Sequence, residues 1–170
     1  MVLDQGWRVR RATIDDSSSL AQLNQHVHVL HVEAEPSDFH DVEPADAQDF
    51  FAALFAGDEH VVFVALDAAG RAIGYVWAQD HQRPENPFTR AARTCYIHHV
   101  AVAPSSRGQG VGHSLMAAVE TEALQRGIPR LALDHWTFNE TAQRFFAGLG
   151  FQPYNVRMRR ELHDEETVSR

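Results

Sequence analysis

Residues 107–112, Arg-Gly-Gln-Gly-Val-Gly, are the part of this sequence best suited to hold an anion. Closely spaced glycines let a backbone approach a ligand with no Cβ in the way, and the first N–H groups of a helix starting there lack intrahelical acceptors. With the helix dipole these groups suit a pyrophosphate, and Arg107 adds a charge-assisted contact. Glycines that merely shape a tight turn are the plainer reading. A dinucleotide-binding turn fits poorly, because Gly108, Gly110 and Gly112 are evenly spaced rather than Gly-x-Gly-x-x-Gly. Asp134, on the strand expected next, is the one feature such a fold could use for a ribose. The turn, however, lies past the middle of the chain and leaves too little sequence for a full dinucleotide-binding sheet.

Other chemistries are excluded by composition. All 15 basic residues are arginine and none is lysine, so a Walker-type phosphate loop and Schiff-base chemistry are ruled out. A formal net charge of −8 argues against general affinity for nucleic acid or anionic membrane. Acids run through Glu33, Glu35, Asp38, Asp41, Glu43, Asp46, Asp49, Asp58 and Glu59 with no arginine among them. That stretch either attracts a cation or is a solvated acidic face. The single cysteine, Cys95, excludes an intramolecular disulfide and a multi-cysteine zinc site. His26, His28 and His31 do not share a helix face at a spacing of two, and His98 and His99 should point oppositely on a strand, so no metal site is expected.

The elements that must position the loop follow from periodicity. With 170 residues, 44% of them hydrophobic, the chain has the size of one domain over residues 1–170. No apolar run approaches the roughly 18 residues of a membrane helix, and the polar start around Asp4 shows no secretory signal, so an intracellular, cytoplasmic protein is expected. Alternation predicts a strand over 7–12. Thr13 with Asp16 forms a capping box that opens a helix over 14–32, striped by Leu20, Leu23, Val27 and Leu30. A second helix ends near Ala56 at Gly57, its apolar side formed by Phe50, Phe51, Leu54 and Phe55. Residues 61–66 and 72–77 form a hairpin, and 81–93, with Pro84 and Pro87, a long loop. A buried strand over 94–102 leads into the glycine loop and a helix that stops at Gly127. A strand over 130–136, a helix over 139–149 closed by Gly150, and last strands within 151–162 complete a mixed α/β domain.

At this point the sequence resembles the GNAT superfamily of acyl-CoA-dependent N-acyltransferases. The resemblance rests on Tyr96-Ile97-His98-His99-Val100-Ala101-Val102-Ala103-Pro104 followed by Arg107-x-x-Gly110-x-Gly112. It continues in Leu131-Ala132-Leu133-Asp134 and Asn139-x-x-Ala142-x-x-Phe145-Phe146-x-x-x-Gly150-Phe151, and covers about residues 94–151. It implies an α/β (α+β) fold with a central mixed, mostly antiparallel sheet whose strands splay, flanked by helices.

The resemblance also implies acetyl-CoA as cosubstrate. Its pantetheine arm would pair with the free edge at Val100, Ala101 and Val102, and its pyrophosphate would sit on Arg107, Gly108, Gln109, Gly110, Val111 and Gly112. The Asn139 amide and Phe146 complete the cofactor set, with a helix N-cap as the plainer role of Asn139. Direct acetyl transfer to an amine follows, with the Val100 N–H facing the developing oxyanion. Asp134 stands where one branch of the superfamily carries a glutamate base. His98 is the rival base, since an unperturbed imidazole titrates near about 6.5. Alternation places it on the face of Tyr96 and Val100, with His99 opposite as a core or supporting residue. Phe146 occupies a position where many relatives have a tyrosine that protonates the leaving sulfur, leaving Tyr96, Tyr154, water or no acid at all. Cys95 invites covalent catalysis, but a small buried strand residue is the stronger reading. His31, Pro36 and Phe39 resemble an element near the acceptor side, with helix-end packing as the alternative. The acceptor is expected to be a small primary amine or a peptide N-terminus, with no nucleic acid or membrane partner, and a homodimer is compatible with the pattern. A non-catalytic CoA-binding sensor of the same fold is the alternative function.

Overall fold

The structure, a computed structural model, describes residues 6–162; Asp4 lies outside them. The chain divides into two units, Met1–Phe138 and Asn139–Arg170, described in turn. In the first, β-branched and small residues build a five-stranded sheet in chain order: β1 (Trp7–Arg11), β2 (His60–Asp67), β3 (Ala72–Arg83), β4 (Ala92–Val102) and β5 (Leu131–Leu133). Neighbours are antiparallel except β4 and β5, which run parallel. The helices of this unit are α1 (Ser17–Ala34), α2 (Pro44–Ala53) and α3 (Val111–Gln125).

Each sheet face has its own cover. Val62, Val64, Leu66, Tyr75, Trp77 and Ala101 form a core with Leu20 and Leu23 of α1 and Ala47 and Phe51 of α2. Residues between them point the other way by strand alternation, toward α3, whose Leu115 and Val119 are fully buried. Gly74 marks how close that approach is: a Cβ there would sit 3.2 Å from both Val111 and Leu115 side chains. Burying each such aliphatic side chain contributes roughly 2 kcal/mol. The stripe of α1 is narrower than its periodicity predicts, since Leu30 is exposed at the helix end.

The capping box forms: the Thr13 N–H donates to the Asp16 carboxylate at 2.8 Å. A 3-10 turn (Ile14–Asp16) precedes α1, so the regular helix begins at Ser17. Arg10 on β1 donates to both Asp16 oxygens at 2.7 and 2.8 Å and holds that carboxyl below the usual carboxylate range. Cap and strand are thereby tied together.

Three expected boundaries are corrected. Residues 81–93 are not one long loop: β3 runs to Arg83 and β4 starts at Ala92. Arg93 clamps this extension, with donors to the Asp80 carboxylate at 2.6 to 3.2 Å and to the Arg126 carbonyl at 2.9 Å. The remaining turn is closed by Asn86, whose Oδ1 accepts from the Phe88 and Thr89 N–H groups. Second, β5 ends at Leu133 instead of continuing to Trp136. Beyond it Trp136 and Phe138 turn to make ring contacts with Phe39 and His31.

The second unit contains α4 (Glu140–Gly148), capped by Asn139, whose Oδ1 accepts from the Ala142 N–H at 3.0 Å. Gly150 (φ 86°) follows the helix in the left-handed conformation that glycine adopts without strain. Third, residues 151–162, expected to supply the last strands, are assigned no strand.

Candidate functional site

The site is organised by one irregularity in β4. Trp77 of β3 pairs with His99, but the next residue, Ala78, pairs with Ile97, so His98 is an extra residue bulged out of the ladder. A bulge resets alternation. Both His98 and His99 therefore lie against Trp77: His98 stacks on the indole with centroids 4.2 Å apart, and His99 meets it edge-on at 5.0 Å. This corrects two expectations. His99 does not face away from His98, and Val100, which pairs with Val76 on the opposite face, does not share a face with His98. Tyr96 does, with its ring 5.0 Å from that of His98.

The same bulge resets which edge the backbone addresses. The Cys95 N–H donates to the Arg130 carbonyl at 2.9 Å, so Cys95 and Ile97 address β5. Ala103, just beyond β4, donates its N–H to the Ile73 carbonyl at 2.9 Å, toward β3. Counting back, Ala101 also addresses β3, whereas Val100 and Val102 address the other edge. Pairing with β5 has already stopped at Ile97 and Leu133, so the β4 edge at the Val100 and Val102 main chain has no paired strand in the described sheet. The Val102 carbonyl accepts from Arg107 Nε at 3.1 Å, which pins the glycine loop to this edge.

The loop then delivers the start of α3. Gly108 (φ 75°) and Gly110 (φ 94°) adopt left-handed conformations, and Gly110 is the N-cap, its carbonyl accepting from the Ser114 N–H at 3.0 Å. The N–H groups of Val111 and Gly112 precede that first helical bond, where a helix start supplies no intrahelical acceptor. Gln109 folds back, its side chain donating to the Ser105 carbonyl at 2.9 Å. The arrangement provides a rank of N–H donors and a positive dipole end beside the open edge.

Proton-handling groups differ in environment. His98 Nε2 donates to Gln79 Oε1 at 3.0 Å, which leaves the lone pair on Nδ1. Its pKa is lowered by desolvation and, less, by the charges of His60 and His81. The Tyr75 hydroxyl donates to Asn24 Oδ1 at 2.9 Å and so accepts from His99 Nδ1–H at 3.2 Å. Burial, joined by His98, His31 and His28, pushes His99 down to about 4 and keeps it neutral. Asp134 is exposed just past the end of β5 rather than on it. Cys95 is buried and its thiol is pushed up to about 11 by desolvation, which suits a packing residue and not a nucleophile.

Aromatic rings line the α1 and α2 face. His31 and Phe39 lie 5.0 Å apart, Phe39 and Trp136 5.4 Å, Trp136 and Phe138 6.0 Å, and Phe138 and His31 5.6 Å, a closed circuit of four rings. His28 also reaches Phe39, at 6.2 Å. Among the described residues no group of three or more His, Cys, Asp or Glu could hold a metal ion. In the second unit Phe146 packs between Phe145 and Phe151, at 5.2 and 5.8 Å, and carries no hydroxyl. Sequence reasoning missed Trp77, Gln79, Tyr75 and Asn24, which set the two histidines; a bulge leaves no mark in composition or periodicity.

An open sheet edge beside a glycine-rich helix start, on a mixed sheet with a parallel last pair, defines the acetyltransferase class of α/β proteins. Residues 25–151 match the family described as Acetyltransferase (GNAT) family. The chain belongs to this family. A structure of a tetramutant of the BH1408 protein from Bacillus halodurans is 28% identical, with a TM-score of 0.86 over 91% of this chain and 99% of that one. The aminoglycoside N-acetyltransferase AAC(6')-Iy, in complex with CoA, shares the fold at a TM-score of 0.67 and 21% identity, over 91% of this chain and 94% of that one. The uncharacterized N-acetyltransferase YycN of Bacillus subtilis (strain 168) is 30% identical over 90 residues, 53% of this chain and 54% of that protein. The chain thus spans about half the length of this curated relative.

Proposed function

We propose that residues 1–170 form one domain that transfers an acetyl group from acetyl-CoA directly to a primary amine, of a small molecule or a peptide N-terminus. The observation that carries the reading is the freed Val100 and Val102 edge, opened by the bulge at His98 and lying beside the Arg107–Gly112 loop. A CoA solved with a structural neighbour of this fold supports the choice of carrier.

In this reading the pantetheine amides pair with the Val100 and Val102 main chain as an added strand, while Ala101 sets their spacing. The N–H groups around Gly108, Gln109, Gly110, Val111 and Gly112 take the pyrophosphate, joined by the terminal nitrogens of Arg107. The amine nitrogen attacks the thioester carbonyl carbon, the carbonyl oxygen gathers charge against the Val100 N–H, and the carbon–sulfur bond then breaks. The departing thiolate has an intrinsic pKa of only about 8.5 and leaves without a tyrosine at position 146. The amine's proton goes to His98, through the Nδ1 lone pair that its bond to Gln79 exposes, with Asp134 as the competing base. Aromatic walls and the acidic stretch before them favour a cationic acceptor in its protonated resting form.

The absence of a hydroxyl on Phe146 favours a second reading, a CoA-binding sensor without turnover. Calorimetry with CoA and thioester consumption over an amine panel separate the two. Transfer to any amine supports the enzyme; tight CoA binding with no transfer supports the sensor; no CoA binding overturns both.

A further inference from the structure

Three side chains fix the buried Trp77 of β3 in place. Its indole N–H donates to His60 Nδ1 on β2 at 3.1 Å, and Phe50 of α2 and His99 of β4 meet its ring edge-on at 5.5 and 5.0 Å. An indole N–H can only donate, so His60 keeps its lone pair on Nδ1 and its proton on Nε2, 3.7 Å from Glu59 Oε1. An indole face held in this way is covered by the imidazole of His98, 4.2 Å off and 17° from parallel. The mechanism above gives Trp77 no part in transfer.

That geometry treats the two charge states of His98 differently. The face of an indole is the negative part of its quadrupole, so it attracts an imidazolium more strongly than a neutral imidazole. Gln79 holds the ring at Nε2, so both its plane and its rotation within that plane are set. The titratable groups facing His98 are His60 on β2, His81 on β3, and Tyr96 and His99 on β4, while Phe50, the α2 side chain against the indole, carries no charge. Desolvation first, then the charges of His60 and His81, disfavour the imidazolium, and His99 stays neutral down to about pH 4. The indole face works against these.

We propose that Trp77 is a positioning residue for the transfer reaction: its anchored indole holds the His98 imidazole in one plane and favours the imidazolium formed when the amine's proton arrives. The inference rests on the reading of His98 as the base. The proton leaves the attacking nitrogen and bonds to Nδ1 through its lone pair, and the positive charge passes into the ring that lies on the indole. Trp77 forms no bond in this step and acts through His98. A base made too acidic by burial and like charges loses driving force, and a ring free to turn presents Nδ1 to the amine only part of the time. The stack offsets both losses.

Histidine NMR titration and acetyl transfer, both on the full-length chain, test this in the wild type, Trp77→Phe and Trp77→Leu. Phenylalanine keeps a ring face and leucine keeps apolar cover alone, so comparing the two separates the face from burial. His98 should titrate about 0.5–1 pH unit lower in Trp77→Leu than in Trp77→Phe, and the acid limb of the transfer profile should move with it. At about pH 8, where His98 is neutral in each, Trp77→Phe should keep most of the transfer and Trp77→Leu should lose about 10-fold or more. Equal His98 titrations in the two variants overturn the proposal, whatever the transfer rates. A titration that moves while the acid limb stays put overturns it by another route, since a different group then takes the proton. A wild type that transfers to no amine overturns the enzyme reading and the proposal together. If Trp77→Leu does not fold, the wild type decides alone. The carbon-bound ring protons of His98 should lie upfield of those of the exposed His26 and His40, above and below its titration, and loss of that position on protonation overturns the proposal.

Discussion

His98 lies flat on Trp77, with their ring planes 17° apart and centroids 4.2 Å apart, because His98 is the residue that β4 carries in excess of β3. One bulged residue thus turns a side chain onto an indole and, in the same step, turns the main chain of Val100 and Val102 out of the sheet. The proposed base and the proposed carrier edge share a single cause.

If His98 takes the amine's proton, His98→Ala should lower kcat/KM by about 100- to 10,000-fold with CoA affinity nearly unchanged. Its pKa lies below the ordinary histidine value, so the base is neutral at pH 7; protonation of His98 should cut the rate on the acid side of about pH 6.5, and above that the rate should follow only the deprotonation of the acceptor amine. Asp134→Asn should leave that profile in place. A profile unchanged in His98→Ala and lost in Asp134→Asn transfers the role to the carboxylate.

Gly112→Asp should abolish CoA binding in calorimetry, weakening it by about 100-fold or more, because a carboxylate then faces the pyrophosphate. Position 112 lies in the first turn of α3, where an acidic side chain favours the helix. The fold should therefore be retained in circular dichroism. The variant separates anion repulsion from misfolding better than Gly110→Asp, which places a side chain at φ 94°.

His99 makes stability depend on pH. Its folded pKa of about 4 lies below the unfolded value of about 6.5, so between these the unfolded state binds more protons. Stability should be full above about pH 6.5 and fall by up to about 3 kcal/mol as pH drops toward 4. Urea unfolding at several pH values measures the slope, and His99→Phe should flatten it. Tyr75→Phe should cost about 1–3 kcal/mol at pH 7, because Asn24 Oδ1 loses its donor and His99 Nδ1–H its acceptor.

Cys95 should resist iodoacetamide at pH 7.5 in the native protein and react once urea unfolds it, since burial and a pKa of about 11 suppress the thiolate. Cys95→Ala should keep its transfer activity. Rapid native labelling, or loss of transfer without loss of stability, would instead place the thiol in the chemistry.

Much of this protein was legible in local pattern. The capping box at Thr13 and Asp16, the stop at Gly57, the glycine loop before α3 and the cap at Asn139 depend on neighbours in the chain, and each forms where the residues predict it. Fold class was legible too, because alternating strands and helices with two motifs in order leave few architectures. Strand limits were less legible. Asp80 and Arg93, distant in sequence, extend β3 and β4, while β5 stops before Trp136 and Phe138, which make ring contacts with Phe39 and His31.

Sequence alone determined the family and the exclusion of lysine chemistry, and it singled out 107–112 as the candidate anion site, since these rest on residue type and short-range backbone freedom. Tertiary structure decided where β4 carries its extra residue, and hence that His98 and His99 share Trp77 and that Val100 and Val102 address the edge away from β3. A bulge arises from a mismatch between two strands, and no property of either strand taken singly records it.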